Sequence, residues 1–495
     1  MIKKRMLVIG ICLAVCALIA GAIVLVMTID PPAPGEEENL DFGLTVNNEG
    51  IKVYRFSPKN VDYMQVENAH GSYRVRMDGD QVYIVDYQTV PLLAASSSGL
   101  FRSVETLSLN TVVDPDCKNP ARFGLDQPQA TVTIQAYSDA RVTFYIGDAS
   151  PTGEYYYFSV EGDTAVYLVD DLLAERYLKS VAEYCDKKIY KPFNPAEDFR
   201  GLTVKSPTLN YSFRQATEEE KAIDGVYFSG IAMESPYHWG VEGLVMEDVT
   251  NTMVALSADD VVQMCVSDGD LAQYGLDAPN RTEIVLTVYA DPNPTMYNNS
   301  TNPYYDSTKP TGQYQEFTIT YWLGKTADKQ VYVMFDGIPV VYSMSKDTFS
   351  WLEWSPYRYC TKMFYGEYLA ELESLKIAFG TEEHVFTFSG NLSDETFRVN
   401  CNGTAVKSDD FRDHYANILS MYPTGEGVLA DDAELLLSIT YTSKDGKAET
   451  VSFYSVDDRN CIGKVRGEAF LTVRIDEINK VIKDTHKLLR GEPLR

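Results

Sequence analysis

The sequence predicts an α+β fold: an N-terminal transmembrane helix followed by three tandem β-rich repeat domains, each built of antiparallel hairpins with two helices. Three observations carry this. Phe123-Gly124-Leu125-Asp126-Gln127-Pro128 returns as Tyr274-Gly275-Leu276-Asp277-Ala278-Pro279, and a self-match at domain spacing reads as duplication rather than a short solenoid repeat. Each copy precedes an alternating apolar stretch, Val132, Ile134 and Ala136 in the first and Ile284, Leu286 and Val288 in the second, the pattern of a strand with one buried face. Residues 6–27 form an unbroken apolar run, which as a helix is ~33 Å long and spans a hydrocarbon core.

Taken in order, Lys3, Lys4 and Arg5 precede the apolar run, and Asp30 and Glu36 to Glu38 follow it. The positive-inside bias then leaves the N-terminus cytoplasmic and residues 30–495 outside, on a single-pass anchor. A cleaved signal peptide fits less well, because the run is long and no A-x-A site follows it. Residues 31–38, rich in Pro and Glu, read as an extended spacer within a 30–60 lead-in.

The first repeat, 61–190, opens with strands at 73–77 and 81–85 around Asp78-Gly79-Asp80, a short-hairpin signal. Residues 90–109 have helical spacing, broken near Ser96-Ser97-Ser98-Gly99. Two hairpins follow Gly-Leu-Asp, at 131–146 and 155–169, and Asp170 caps a closing helix. The second repeat, 198–365, keeps this order, with helical spacing over 247–265 and a closing helix from Asp347. It adds an insert at 291–313, rich in Pro, Asn, Tyr and Ser, which reads as a surface loop. The third, 370–490, has Gly427-Val428-Leu429 where the motif is expected and a closing helix over 476–489.

The length of 495 residues fits about three domains. Apolar content of 45% and charged content of 23% are those of a globular chain. Tyrosine is frequent at 34 copies and suits strands with one wet face. A net charge of −28 repels nucleic acid, whose binding needs Lys and Arg on phosphates, so no nucleic-acid partner is expected. The partners expected are the lipid bilayer, through the N-terminal helix, and other proteins.

No catalytic residues, cofactor or metal site are expected. His70, His238, His384, His414 and His486 show neither H-x-H nor H-E-x-x-H spacing, and no Walker loop, G-x-S-x-G or dinucleotide fingerprint occurs. Cys117, Cys185, Cys265, Cys360, Cys401 and Cys461 are isolated; they read equally as disulfide partners and as buried thiols. In the motif, Gly124 and Gly275 allow a tight turn, Asp126 and Asp277 can bind local N–H groups, and Pro128 and Pro279 block helix continuation. Leu125 and Leu276 complete a structural repeat motif rather than a reactive site. Tyr297, Tyr304, Tyr305 and Tyr314, among asparagines in the insert, are the candidate partner-binding loop.

Gly-Leu-Asp-x-Pro, a following hairpin ending in Ile146-Gly147 or Leu323-Gly324, the aromatic strand Tyr155-Tyr156-Tyr157 and a closing helix resemble the bacterial domain of unknown function 4340 family. The resemblance implies a membrane-anchored protein outside the cytoplasm, associated with ABC-type systems related to gliding-motility transporters, and carries over no catalytic residues. The expected function is a non-enzymatic, membrane-anchored extracytoplasmic accessory or scaffold serving an ABC-type transport system. The alternative is a cell-envelope module recognising polysaccharide or peptide through 291–313.

Overall fold

A computed structural model of the chain describes residues 42–494, save 48, 79–80, 191–193, 224, 293–309 and 311. Its framework is three large antiparallel sheets that share one strand order. Each begins with a meander that starts at the centre of the sheet and runs to one edge. The chain then passes through a helix to a short strand on the opposite edge. A four-strand meander fills the space between, with its first strand against the opening strand.

In the first sheet the opening meander is Val61–Asn68, Gly71–Asp78 and Gln81–Ile84, and Thr111–Asp114 is the far edge. Ala130–Ala136, Arg141–Ala149, Tyr155–Val160 and Val166–Asp170 fill the middle. In the second, Phe199–Lys205, Asn210–Gln215, Ile231–Ser235 and Trp239–Gly240 lead outward, Asp260–Met264 is the far edge, and Thr282–Ala290 opens the four-strand meander. In the third, Leu372–Phe379 is central, Gly425–Glu426 is the far edge, and Leu435–Ser443 opens the meander.

The alternating residues form the core. Val132, Ile134 and Ala136 are buried in the first sheet, Ile284, Leu286 and Val288 in the second, and Leu437, Ile439 and Tyr441 in the third. Burial of each large apolar side chain contributes about 1.5–3 kcal/mol, and the period of two places all of them on one face. The helices cover that face. Tyr177 of the closing helix Asp171–Leu178 is fully buried, its hydroxyl donating to the Leu100 carbonyl at 2.7 Å. Phe411 and Ile418 of Ser408–Leu419, with Ile478, Val481 and Leu488 of Ile475–Leu489, do the same in the third sheet.

The chain divides into two compact units, one comprising Met1–Asp86 with Ala95–Val181 and the other Tyr87–Ala94 with Ala182–Arg495. The first sheet belongs to one unit; the second and third sheets share the other.

Two expectations are corrected. The fold is mainly β rather than α+β: the described residues form 31 strands, and their longest helix, Ile475–Leu489, has 15 residues. The helical spacing over 90–109 resolves into a helix, Ala94–Arg102, and a strand, Thr106–Leu109. That over 247–265 resolves into helix Gly243–Val254 and strands Ala255–Ser257 and Asp260–Met264. The β-branched Val261 and Val262 prefer the pleated backbone, and the segment pairs along Ile338–Ser345, Val261 opposite Tyr342 with a register shift at Val262. The closing segment of the second repeat is a 3-10 stretch, Lys346–Glu353.

The second correction concerns location. No helix among the described residues is long and apolar enough to cross a membrane, so the structure gives the single-pass placement no support, and it is not retained. Residues 6–27, the expected transmembrane helix, and the 31–38 spacer lie outside the described residues.

Candidate functional site

The Gly-Leu-Asp copies occupy equivalent corners. Gly124 ends the 3-10 turn Pro120–Phe123 and Gly275 ends the helical turn Leu271–Tyr274, both at φ 68°, where only glycine is unstrained. In each corner the carbonyl before the glycine presses on a second glycine across the sheet. A Cβ on Gly147 would lie 2.1 Å from the Phe123 oxygen, and one on Gly324 2.1 Å from the Tyr274 oxygen. Leu125 and Leu276 lean on the same two glycines. Asp126 is exposed; the Asp277 carboxylate accepts from Asn280 Nδ2 at 2.7 Å, and its carbonyl accepts from the Asn280 and Arg281 N–H groups. Pro128 and Pro279 lead into the next strand. In the third sheet Gly427 follows the edge strand directly, without a helical turn.

Tyr297, Tyr304 and Tyr305 lie outside the described residues. Tyr314 is 61% exposed and its ring lies 6.2 Å from that of Tyr289, over which Arg200 is placed. The buried Asp291 accepts from the Gly312 N–H at 2.7 Å at the base of the insert. The six cysteines among the described residues are free thiols. Burial pushes the Cys185 thiol up to about 11 and the Cys360 thiol well above its ordinary value, so neither is poised as a thiolate nucleophile.

A cavity of about 680 Å³ lies in the second unit, where residues 225–231 meet the start of helix Gly243–Val254. Ile231, Val241 and Met246 form its apolar wall, and Glu242 and Glu247 its acidic side. Phe228 and Leu244 stand on its rim, 93% and 78% exposed. Gly240 makes the local fold feasible: a Cβ there would meet the Val226 carbonyl oxygen at 1.7 Å.

Charged groups near this cavity are held in fixed pairs. Arg214 grips Glu220 with two hydrogen bonds, 2.7 and 2.9 Å, and Glu234 with one of 2.6 Å. The Arg214 guanidinium, the Thr217 N–H and His238 draw the Glu220 carboxyl down to about 2, which favours its ionised form at neutral pH. Burial lowers the Lys362 ammonium, which donates to the carbonyls of Tyr357, at 2.6 Å, and Cys360.

One arrangement escapes sequence spacing. Glu382 and His384 stand two apart on the strand Glu382–Ser389, and His486 comes from the last turns of Ile475–Leu489. Glu382 Oε2 lies 3.1 Å from His384 Nε2 and 3.0 Å from His486 Nε2. These are side chains that can hold a metal, and the one ligand-capable group of three among the described residues. Glu-x-His on an alternating strand was the only local signal; the third member is 104 residues away from Glu382.

Comparison with known proteins matches residues 83–279 to the family described as Domain of unknown function (DUF4340). The chain resembles that family from the first sheet's edge to the end of the second Gly-Leu-Asp copy. No protein of curated function and no solved structure matches it.

Proposed function

We propose that the chain is a non-enzymatic accessory or scaffold protein that holds a partner protein at the cavity beside Phe228 and Leu244. The partner class, subunits of an ABC-type transport system, follows from the family resemblance alone. The observation that supports a binding role is the rim: two large apolar side chains stand almost fully in water beside a concave apolar wall. Exposed apolar groups of this kind lose water only when something covers them. Glu242 and Glu247 favour an apolar partner side chain flanked by Lys or Arg. The neighbouring charges are held by partners within the chain, Arg214 by Glu220 and Lys362 by the Tyr357 and Cys360 carbonyls, which suits a rigid holding surface.

Affinity purification of the full chain from its own cells, with identification of what accompanies it, tests this. Transporter subunits are expected with the wild type, falling about tenfold or more for the Phe228→Asp, Leu244→Asp double variant. Wild-type chain that brings down no transporter subunit sinks the partner assignment. Equal recovery with the double variant removes the cavity from it.

A second reading, recognition of polysaccharide or peptide through 291–313, is favoured by the exposed Tyr314 beside Tyr289. Glycan or peptide binding that survives deletion of the loop would exclude it.

A further inference from the structure

We propose that Glu382, His384 and His486 form a three-ligand site for a divalent transition-metal ion of the zinc class, clamping the C-terminal helix to the first hairpin of the third sheet. This stands independently of the binding reading above.

The geometry argues for it first. Zinc binds imidazole nitrogen and carboxylate oxygen at about 2.0–2.2 Å in tetrahedral array, which puts ligand atoms roughly 3.3–3.5 Å apart. Here the two Nε2 atoms lie 3.1 and 3.0 Å from one carboxylate oxygen, and all three ligand atoms fall within 4.8 Å of one another. The two nitrogen–oxygen contacts reach the tetrahedral separation if they lengthen by about a few tenths of an ångström. Both imidazoles address the same oxygen, Oε2, which brings the three ligand atoms into one cluster.

The surroundings argue for it next. Period-two alternation places Glu382 and His384 on one face of the strand. Phe379 backs both imidazoles, its ring 5.4 Å from His384 and 5.3 Å from His486, and so limits their rotation. The histidine rings stand at 88° to each other, so their nitrogens approach from different directions. His486 lies in the last turn of its helix, whose carbonyl end carries partial negative charge and favours a cation. The neighbouring Glu383, next along the strand and so on its other face, pairs with Lys376 at 3.5 Å.

The donor set selects the metal class. Two imidazoles and one carboxylate suit zinc, nickel or copper; calcium and magnesium demand oxygen ligands throughout. Glu382 is half exposed, so the fourth position opens to water or to a group from a partner.

Zinc titration of the EDTA-stripped full chain, followed by calorimetry and by the visible absorption of bound Co²⁺, tests the assignment. One zinc per chain is expected, with a tetrahedral cobalt spectrum and a rise in unfolding temperature. His384→Ala and His486→Ala should each weaken binding by about tenfold or more, and together abolish it. Cys265→Ser, at an exposed thiol, should leave binding unchanged. Circular dichroism checks each fold, and the exposed Glu382→Gln serves if a histidine variant fails to fold. No zinc bound by the wild type, undiminished binding in the variants, or equal competition by calcium overturns the proposal.

Discussion

The Phe123 carbonyl on Gly147 and the Tyr274 carbonyl on Gly324 show how a two-residue contact holds a domain corner. Neither Gly147 nor Gly324 has positive φ, so each is glycine because of what it touches, not because of its own backbone. The hairpin glycine Gly337 is the reverse case: φ is 78° and nothing lies within 4 Å of a Cβ. The two kinds of constraint separate by mutation. Gly324→Ala forces a carbonyl off the sheet and should cost about 3 kcal/mol, at the upper end of overpacking. Gly337→Ala should cost about 1–2 kcal/mol, the left-handed backbone penalty. Urea unfolding of both variants measures this; equal costs would show that the Tyr274–Gly324 contact is not a constraint. The motif was legible in the sequence because it repeats. Its partner glycine was visible only as the end of Leu323-Gly324, since pairing of Thr282–Ala290 with Gln315–Ala327 is what brings it opposite Tyr274.

Among the elements, the two helices of the third sheet depend on a buried polar contact. His414 of Ser408–Leu419 is fully buried, and its Nε2 meets Thr485 Oγ1 of Ile475–Leu489 at 3.0 Å. Asn417 and Asp484 add a second bond at 3.2 Å. Burial pushes the His414 imidazole down from 6.5 to about 4. The folded state therefore resists a proton that the unfolded chain accepts near pH 6.5. Stability from this site is complete above about 6.5 and is lost as pH falls to about 4, by about 3 kcal/mol in total. His414→Leu should flatten the pH dependence of the urea midpoint across that window; a slope equal to wild type would place the acid sensitivity elsewhere. The closing helix over 476–489 was readable in the sequence. The His414–Thr485 pair was not, because 71 residues separate its members and helix packing alone sets them face to face.

At the scale of the molecule, the second and third sheets lie in one compact unit and meet through direct contacts. Tyr237 stacks on Phe470 with centroids 3.9 Å apart and planes 4° from parallel, and Trp239 meets the same ring edge-on. Glu468 accepts from the His238 N–H at 2.9 Å, and Glu426 from the Tyr357 N–H at 2.6 Å. Phe470 is fully buried. Phe470→Ala should cost about 3–5 kcal/mol and split one unfolding transition of this unit into two, followed by tryptophan fluorescence for the second sheet and circular dichroism for both. A variant that still unfolds in a single step would show that the sheets are coupled by other contacts.

The sequence by itself determined the local grammar of this protein: the repeated corner, the alternating strands behind it and the turn glycines. These depend on residues close in the chain, where period and backbone preference act directly. It overstated helix wherever a 3.6-residue spacing also suited a β-branched edge strand, because the partner that decides the matter is distant. Only the tertiary structure decided that strand pairing dominates the fold. It alone set Phe228 and Leu244 on a cavity rim and brought Glu382, His384 and His486 into one cluster. Each of those outcomes depends on which distant surfaces meet, and no local period records that.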